Sequence, residues 1–129
     1  MLGDFDIQSV AQEILTAEDL VETETIRSTT RAYDGKGSSV VVNGNITAGA
    51  VVKGTYDLLV QGWVVGEEGR PCQIEAEGDV VIEGDVRNAR IKGQSIRIGG
   101  EARRCQLNSQ RGVEIGGGYE WRKNCGRRF

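Results

Sequence analysis

The chain of 129 residues contains no histidine, a single proline and, among aromatics, only two Trp, three Tyr and two Phe. Without histidine there is no imidazole to act as a base near neutral pH or to ligate a metal. Three cysteines, Cys72, Cys105 and Cys125, form no Cys-x-x-Cys pair, so zinc would need three thiolates and a carboxylate, and no metal site is expected. Aromatic residues make up 5% and hydrophobic residues 38%, too little bulk for a wide globular core but enough for a narrow one of stacked Val, Ile, Leu and Ala. No apolar run reaches about eighteen residues, and no basic leader precedes an apolar stretch. Neither a spanning helix nor a secretory signal is expected, and a cytoplasmic location follows.

What the chain has is glycine inside a repeated phrase of apolar, any, apolar, any, Gly, any, apolar. The copies are Val40-Val42-Gly44-Ile46, Leu58-Val60-Gly62-Val64, Val80-Ile82-Gly84-Val86, Ile96-Ile98-Gly100-Ala102 and Val113-Ile115-Gly117-Tyr119. Their glycines are 18, 22, 16 and 17 residues apart, the short period of a stacked coil. A second phrase follows in Ala50-Val52, Cys72-Ile74, Ala89-Ile91 and Cys105-Leu107. Alternation with period two puts both members of each pair on one face of a strand. Most anchor positions step by five or six residues, so three short strands complete one turn.

Extra residues in the second repeat fall at Glu67-Glu68-Gly69-Arg70-Pro71. Proline cannot donate to a ladder, so this reads as a loop bulging from a corner. At Gly44, Gly62, Gly84, Gly100 and Gly117 the chain is expected to bend with positive φ, which glycine tolerates. The alternative, hairpin turns of an antiparallel sandwich, favours two-residue Asn-Gly turns. The single Asn43-Gly44 sits in a phrase whose other copies lack Asn, which favours the coil.

Charge divides along the chain. Residues 1–86 hold sixteen acids and five bases, a net of −11, whereas residues 87–129 hold three acids and eleven bases, a net of +8. In a steadily advancing coil this makes one end acidic and the other basic.

Residues 1–35 lack the repeat and are expected to form a helix and a linker, residues 36–121 the solenoid, and residues 122–129 a basic aromatic tail. Ile7, Val10, Ala11, Ile14 and Leu15 form a helical stripe. It either folds over the open first turn, hiding its unpaired edge, or binds a partner. Residues 22–36 are rich in Thr, Ser and charge and read as the linker. In the tail, Trp121, Arg122, Lys123, Arg127, Arg128 and Phe129 combine bases with aromatics, suited to a weak contact with an anionic membrane surface or with phosphates. A pI of about 5.1 argues against a dedicated nucleic-acid protein.

Asp57, Glu75, Glu77, Asp79, Glu83 and Asp85 are the acids available for glycoside cleavage, but they alternate outward along strands as solubilising residues do. Hexapeptide-coil acyltransferases share a three-sided turn and rely on a histidine base that this chain lacks. P-loop, dinucleotide and nucleophile-elbow motifs are absent. No catalytic residue, cofactor or metal is expected. Cys72 and Cys105 take the same place two turns apart, roughly 10 Å from one another at the usual strand spacing, and read as small buried hydrophobes.

The segment Ala76-Glu-Gly-Asp-Val-Val-Ile-Glu-Gly-Asp-Val86, with Asn88-Ala-Arg-Ile91 and Ile96-Arg-Ile-Gly-Gly100, resembles the β-solenoid of the bacterial flagellar assembly protein A family. It is similar also to the bactofilins, polymer-forming cytoskeletal proteins, and more distantly to the C-terminal domain of MinC. The likeness spans about residues 39–119. It implies an all-β fold, a single-stranded right-handed parallel β-helix of three sides and about five turns, here preceded by an amphipathic α-helix. A bacterial cytoplasmic setting and a scaffolding, non-enzymatic role are implied too. The chain departs from bactofilins in its opening helix, and from the flagellar family in lacking a long coiled coil. The expected function is a structural solenoid that self-associates through its ends into a homo-oligomer or filament. The alternative is a regulatory module of the flagellar assembly or cell-division type, recruiting a protein partner through the helix or the tail.

Overall fold

The computed structural model describes residues 7–16, 20–27, 32–116 and 126–128, with the backbone alone at 7–10 and 126–128. Helix α1 (Ile7–Leu15) comes first. The first turn of the coil follows, with β1 (Leu20–Thr23), a single bridging residue Ile26, and β2 (Tyr33–Asp34). The second turn has β3 (Ser39–Val42), Ile46 and β4 (Val51–Thr55). The third has β5 (Leu58–Val60), β6 (Val64–Val65) and β7 (Cys72–Ala76). The fourth has β8 (Val80–Ile82), β9 (Val86–Arg87) and the start of β10 (Ala89–Ile98). The end of β10 opens the fifth turn, which continues through β11 (Ala102–Arg103) into β12 (Gln106–Ile115). Strand β13 (Gly126–Arg128) lies beyond.

All named strand pairs are parallel and join one turn to the next, giving a three-walled β-solenoid of about five turns. Wall A stacks β1, β3, β5, β8 and the later halves of β10 and β12. Wall B stacks Ile26, Ile46, β6, β9 and β11. Wall C stacks β2, β4, β7, the earlier halves of β10 and β12, and β13.

Strand alternation decides what faces inward. Val40, Val42, Leu58, Val60, Val80, Ile82, Ile96 and Ile98 line wall A, while Ile46, Val64, Val86 and Ala102 line wall B. Ala50, Val52, Cys72, Ile74, Ala89, Ile91, Cys105 and Leu107 line wall C. Each anchor of the repeat phrase is in this one cluster where it is described, save Val113 and Ile115, which pack against it half-buried.

The corner glycines work differently from the expectation. Positive φ occurs at Gly37, Gly49, Gly54 and Gly112, and not at Gly44, Gly62, Gly84 or Gly100. Successive turns instead stack so closely there that a side chain has no room. A Cβ on Gly84 would lie 2.6 Å from the carbonyl oxygen of Gly62, and the Gly84 N–H donates to that same oxygen at 2.9 Å. The expected loop is present: Glu67 and Arg70 exchange backbone hydrogen bonds of 3.1 and 3.0 Å across a tight turn.

Two further expectations change. The coil begins a turn before the phrase does, because β1 pairs with β3 and β2 with β4, so much of the expected linker at residues 22–36 belongs to the solenoid. Helix α1 does not lie over the end of the coil. It lies along the outside of wall A, where Ala11 and Ile14 bury against Val41, Leu59 and Val81, with Leu15 and Leu20 half-buried beside them. Those three wall residues are the middle positions of β3, β5 and β8, and each is fully buried. One level on, the same row becomes Arg97 and then Glu114, an ion pair of 2.6 Å. The helix therefore covers the outward row only where that row is apolar.

Candidate functional site

Parallel strands that end a stack leave backbone groups without partners, the usual template for adding another strand. Strands β1 and β2 each stand at the limit of their stack, with no described element on the far side. In β1, the Thr23 carbonyl accepts from Asn43 N–H at 2.7 Å, toward the second turn. Backbone direction alternates along a strand, so the Glu22 N–H and C=O point to the open side.

The apolar lining is open there as well. Val21 is in register with Val40; Val40 is fully buried, whereas Val21 is 40% exposed. Ile26 and half-buried Tyr33 complete this end of the core. Val113 and Ile115, in register with Ile96 and Ile98, form its other end. Nothing in the repeat phrase marked Val21, because Leu20-Val21-Glu22-Thr23 lacks the following glycine. The signal was only a β-branched residue two positions before a threonine.

Much of the acid expected at this end, Asp4, Asp6, Glu18 and Asp19, lies outside the described residues. The described residues of the tip carry Glu22, Glu24 and Asp34 against Arg27 and Lys36, close to balance. The acid maximum is in the third turn, where Glu67, Glu68, Glu75, Glu77 and Asp79 face one base, Arg70.

Of the residues expected to grip a partner, Ile14 is buried against wall A and Leu15 half-buried beside it. Ile7 and Val10 lie in the same helix. Arg127 and Arg128 are in β13, whose backbone pairs with Leu107 and Asn108 and so extends wall C rather than hanging as a tail. Trp121, Arg122, Lys123 and Phe129 lie outside the described residues.

The acids considered for catalysis do not gather. Asp57 and Asp79 are at the corner between walls C and A, Glu83 and Asp85 at the corner between A and B, and Glu75 and Glu77 along wall C. Several brace the next turn: Asp57 Oδ1 accepts the Asp79 N–H at 2.8 Å and Asp85 Oδ1 the Glu101 N–H at 2.9 Å. Asn45 Oδ1 does the same for the Trp63 N–H at 2.8 Å. Burial raises the pKa of Asp57 above the ordinary value of 3.8; the Asp79 N–H partly offsets this, and the charges of Asp79 and Glu13 add to the rise. Burial alone raises Glu83. The Cys72 thiol, inside the coil and donating to the Thr47 carbonyl at 3.1 Å, is pushed up to about 12 by burial. Such a thiol has almost no thiolate at neutral pH and is a poor nucleophile.

Among the described residues, no group of three or more Cys, Asp or Glu is placed to hold a metal ion, and no helix is long and apolar enough to cross a membrane. The open tip is the feature best formed for recognition. No protein-family model, curated protein or solved structure matches this chain.

Proposed function

We propose that this chain is a non-enzymatic scaffold that assembles with copies of itself through the open first turn of its solenoid. One observation carries the reading: Val21 occupies the lining row yet is 40% exposed, beside strands whose outer edges have no described partner. A second copy laid on that tip would extend the ladders and cover the apolar row at once. The resemblance to bactofilins and to the flagellar assembly protein A family favours a cytoskeletal or assembly role in a bacterial cytoplasm. Use of the helix as a grip for another protein is less favoured, since Ile14 and Leu15 would first have to leave wall A.

The test is Glu22→Pro, which removes the N–H facing the open side and keeps the backbone bonds to the second turn, losing there only the exposed bond that Asn43 Nδ2 donates to Glu22 Oε1 at 2.9 Å. Sedimentation across a concentration series should show the natural chain associating. In about 1 M salt, where side contacts between exposed charges are screened, the variant should remain monomeric, with a melting temperature close to that of the natural chain. Because the described residues of the tip nearly balance in charge, association of the natural chain should persist in about 1 M salt, where the Debye length is about 3 Å. A natural chain that stays monomeric at high concentration, or a variant that assembles equally well, refutes the proposal.

A further inference from the structure

Wall C carries a different kind of surface. Helix α1 covers part of wall A, and wall B has strands of only two residues, β6, β9 and β11. Wall C has the longer strands, and each of β4, β7, β10 and β12 carries an exposed outward position there. Register places Asp34 beside Lys53, and Glu75 beside Lys92. Between the pairs of Val52 with Ile74 and Thr55 with Ala76 a bulge sets Lys53 and Gly54 together opposite Glu75. One row therefore reads acid, base, acid, base over four successive turns. The row runs along an open groove of about 480 Å³, whose lining also includes Gly54, Gly93, Gln94 and Asn108 and, beside the row near Glu75, one further acid, Glu77.

These four side chains are unspent. Ion pairs join Arg97 to Glu114, Arg103 to Glu101 and Arg104 to Glu68, and none involves the row among the described residues. Asp34 Oδ1 accepts only the backbone N–H of Lys36 at 2.8 Å.

An alternating row of even length is complementary to its own reverse. Rotating a second copy by a half turn about the strand direction sets its wall C over the first, with the coils antiparallel. Asp34 then meets Lys92, and Lys53 meets Glu75, each twice, as an isologous interface requires. Copies running the same way with these rows facing set like charge on like. A polyanion or polycation fares no better, because every second level repels it. We propose that wall C is a lateral docking surface for a second, antiparallel copy of this chain, held by the Asp34, Lys53, Glu75 and Lys92 row.

This contact does not depend on the tip, and its salt response is the opposite one. Exposed pairs are individually weak and screened, so lateral pairing should be seen at low ionic strength and disappear in about 1 M salt. The experiment uses the full chain carrying Glu22→Pro, to remove end joining, followed by native mass spectrometry and sedimentation. Lys53→Glu with Lys92→Glu makes the row wholly acidic, and Asp34→Lys with Glu75→Lys makes it wholly basic. All four positions are exposed, and circular dichroism should show both variants folded. Each alone should be monomeric, and an equal mixture should form one-to-one pairs that salt dissolves. Lack of pairing in the mixture, or variants that pair alone as the unaltered row does, overturns the proposal. A Glu22→Pro chain that is monomeric at low ionic strength overturns it equally.

Discussion

Leu58 and Leu59 are adjacent, chemically identical and both fully buried, yet they belong to different structures. Leu58 lines the coil, and Leu59 lies on the outside under α1. Removing a buried leucine side chain costs about 2–5 kcal/mol through lost transfer energy and the cavity left behind. At Leu59 the lower figure applies, because a helix can settle toward the gap more easily than a closed ladder can. A helix of nine residues is marginal in water by itself, so α1 depends on a few contacts with Val41, Leu59 and Val81. A loss of about 2 kcal/mol is roughly a thirtyfold change in an equilibrium. In Leu59→Ala, amides of residues 7–15 should therefore exchange with solvent about thirty times faster, while wall C amides change little. Leu58→Ala should lower the urea midpoint of the whole coil without selectively freeing the helix. Hydrogen exchange read by mass spectrometry separates the two. Unchanged helix protection in Leu59→Ala, or selective loss of it in Leu58→Ala, would refute the placement of α1.

Gly62→Ala should destabilise the fold by about 1–3 kcal/mol or more. Its Cβ would overlap Asn45 Oδ1 and lie 2.5 Å from the Gly44 carbonyl oxygen. Gly69→Ala meets open space and should leave the thermal midpoint unchanged or slightly raised; equal midpoints for the two variants would contradict the stacking argument. Asp57 sets a pH dependence whose sign follows from its raised pKa. The folded state holds this proton more tightly than the unfolded chain, so the folded state is penalised at neutral pH and relieved as pH falls toward the ordinary carboxylate value. Glu83 acts in the same direction. Urea midpoints should rise from neutral to mildly acidic pH, and Asp57→Asn, which keeps an acceptor for the Asp79 N–H, should flatten that rise. A slope unaltered by the substitution would exclude this origin.

The lining was legible because it obeys a rule that sequence displays directly: two-residue alternation, repeated at each turn, with every described anchor from Val40 to Leu107 inside. The first turn was not, since Val21 and Tyr33 sit where the lining thins out and no glycine follows β1. Glycine itself was ambiguous. The same residue type permits a left-handed backbone at Gly54 and a close approach at Gly84, and only the stacking of neighbouring turns distinguishes them. The position of α1 had left a trace in the row treated as free to vary: Val41, Leu59 and Val81, then Arg97 and Glu114. A change from apolar to charged in an outward row marks where cover ends, and the cover was the stripe of the preceding helix.

The same logic connects the tip and wall C to how copies could meet. A solenoid repeats its backbone faithfully, so its ends are open by construction and joining there depends on ladders and lining, with little dependence on charge. Its outward rows are free of that repetition and can carry any pattern from turn to turn. Wall A uses this freedom for an apolar stripe that its own helix covers. Wall C uses it for a row of four charges alternating in sign, which no single polyion satisfies and a reversed copy does. End joining that withstands salt, combined with side joining that salt dissolves, would let ionic strength choose between single strands and paired ones.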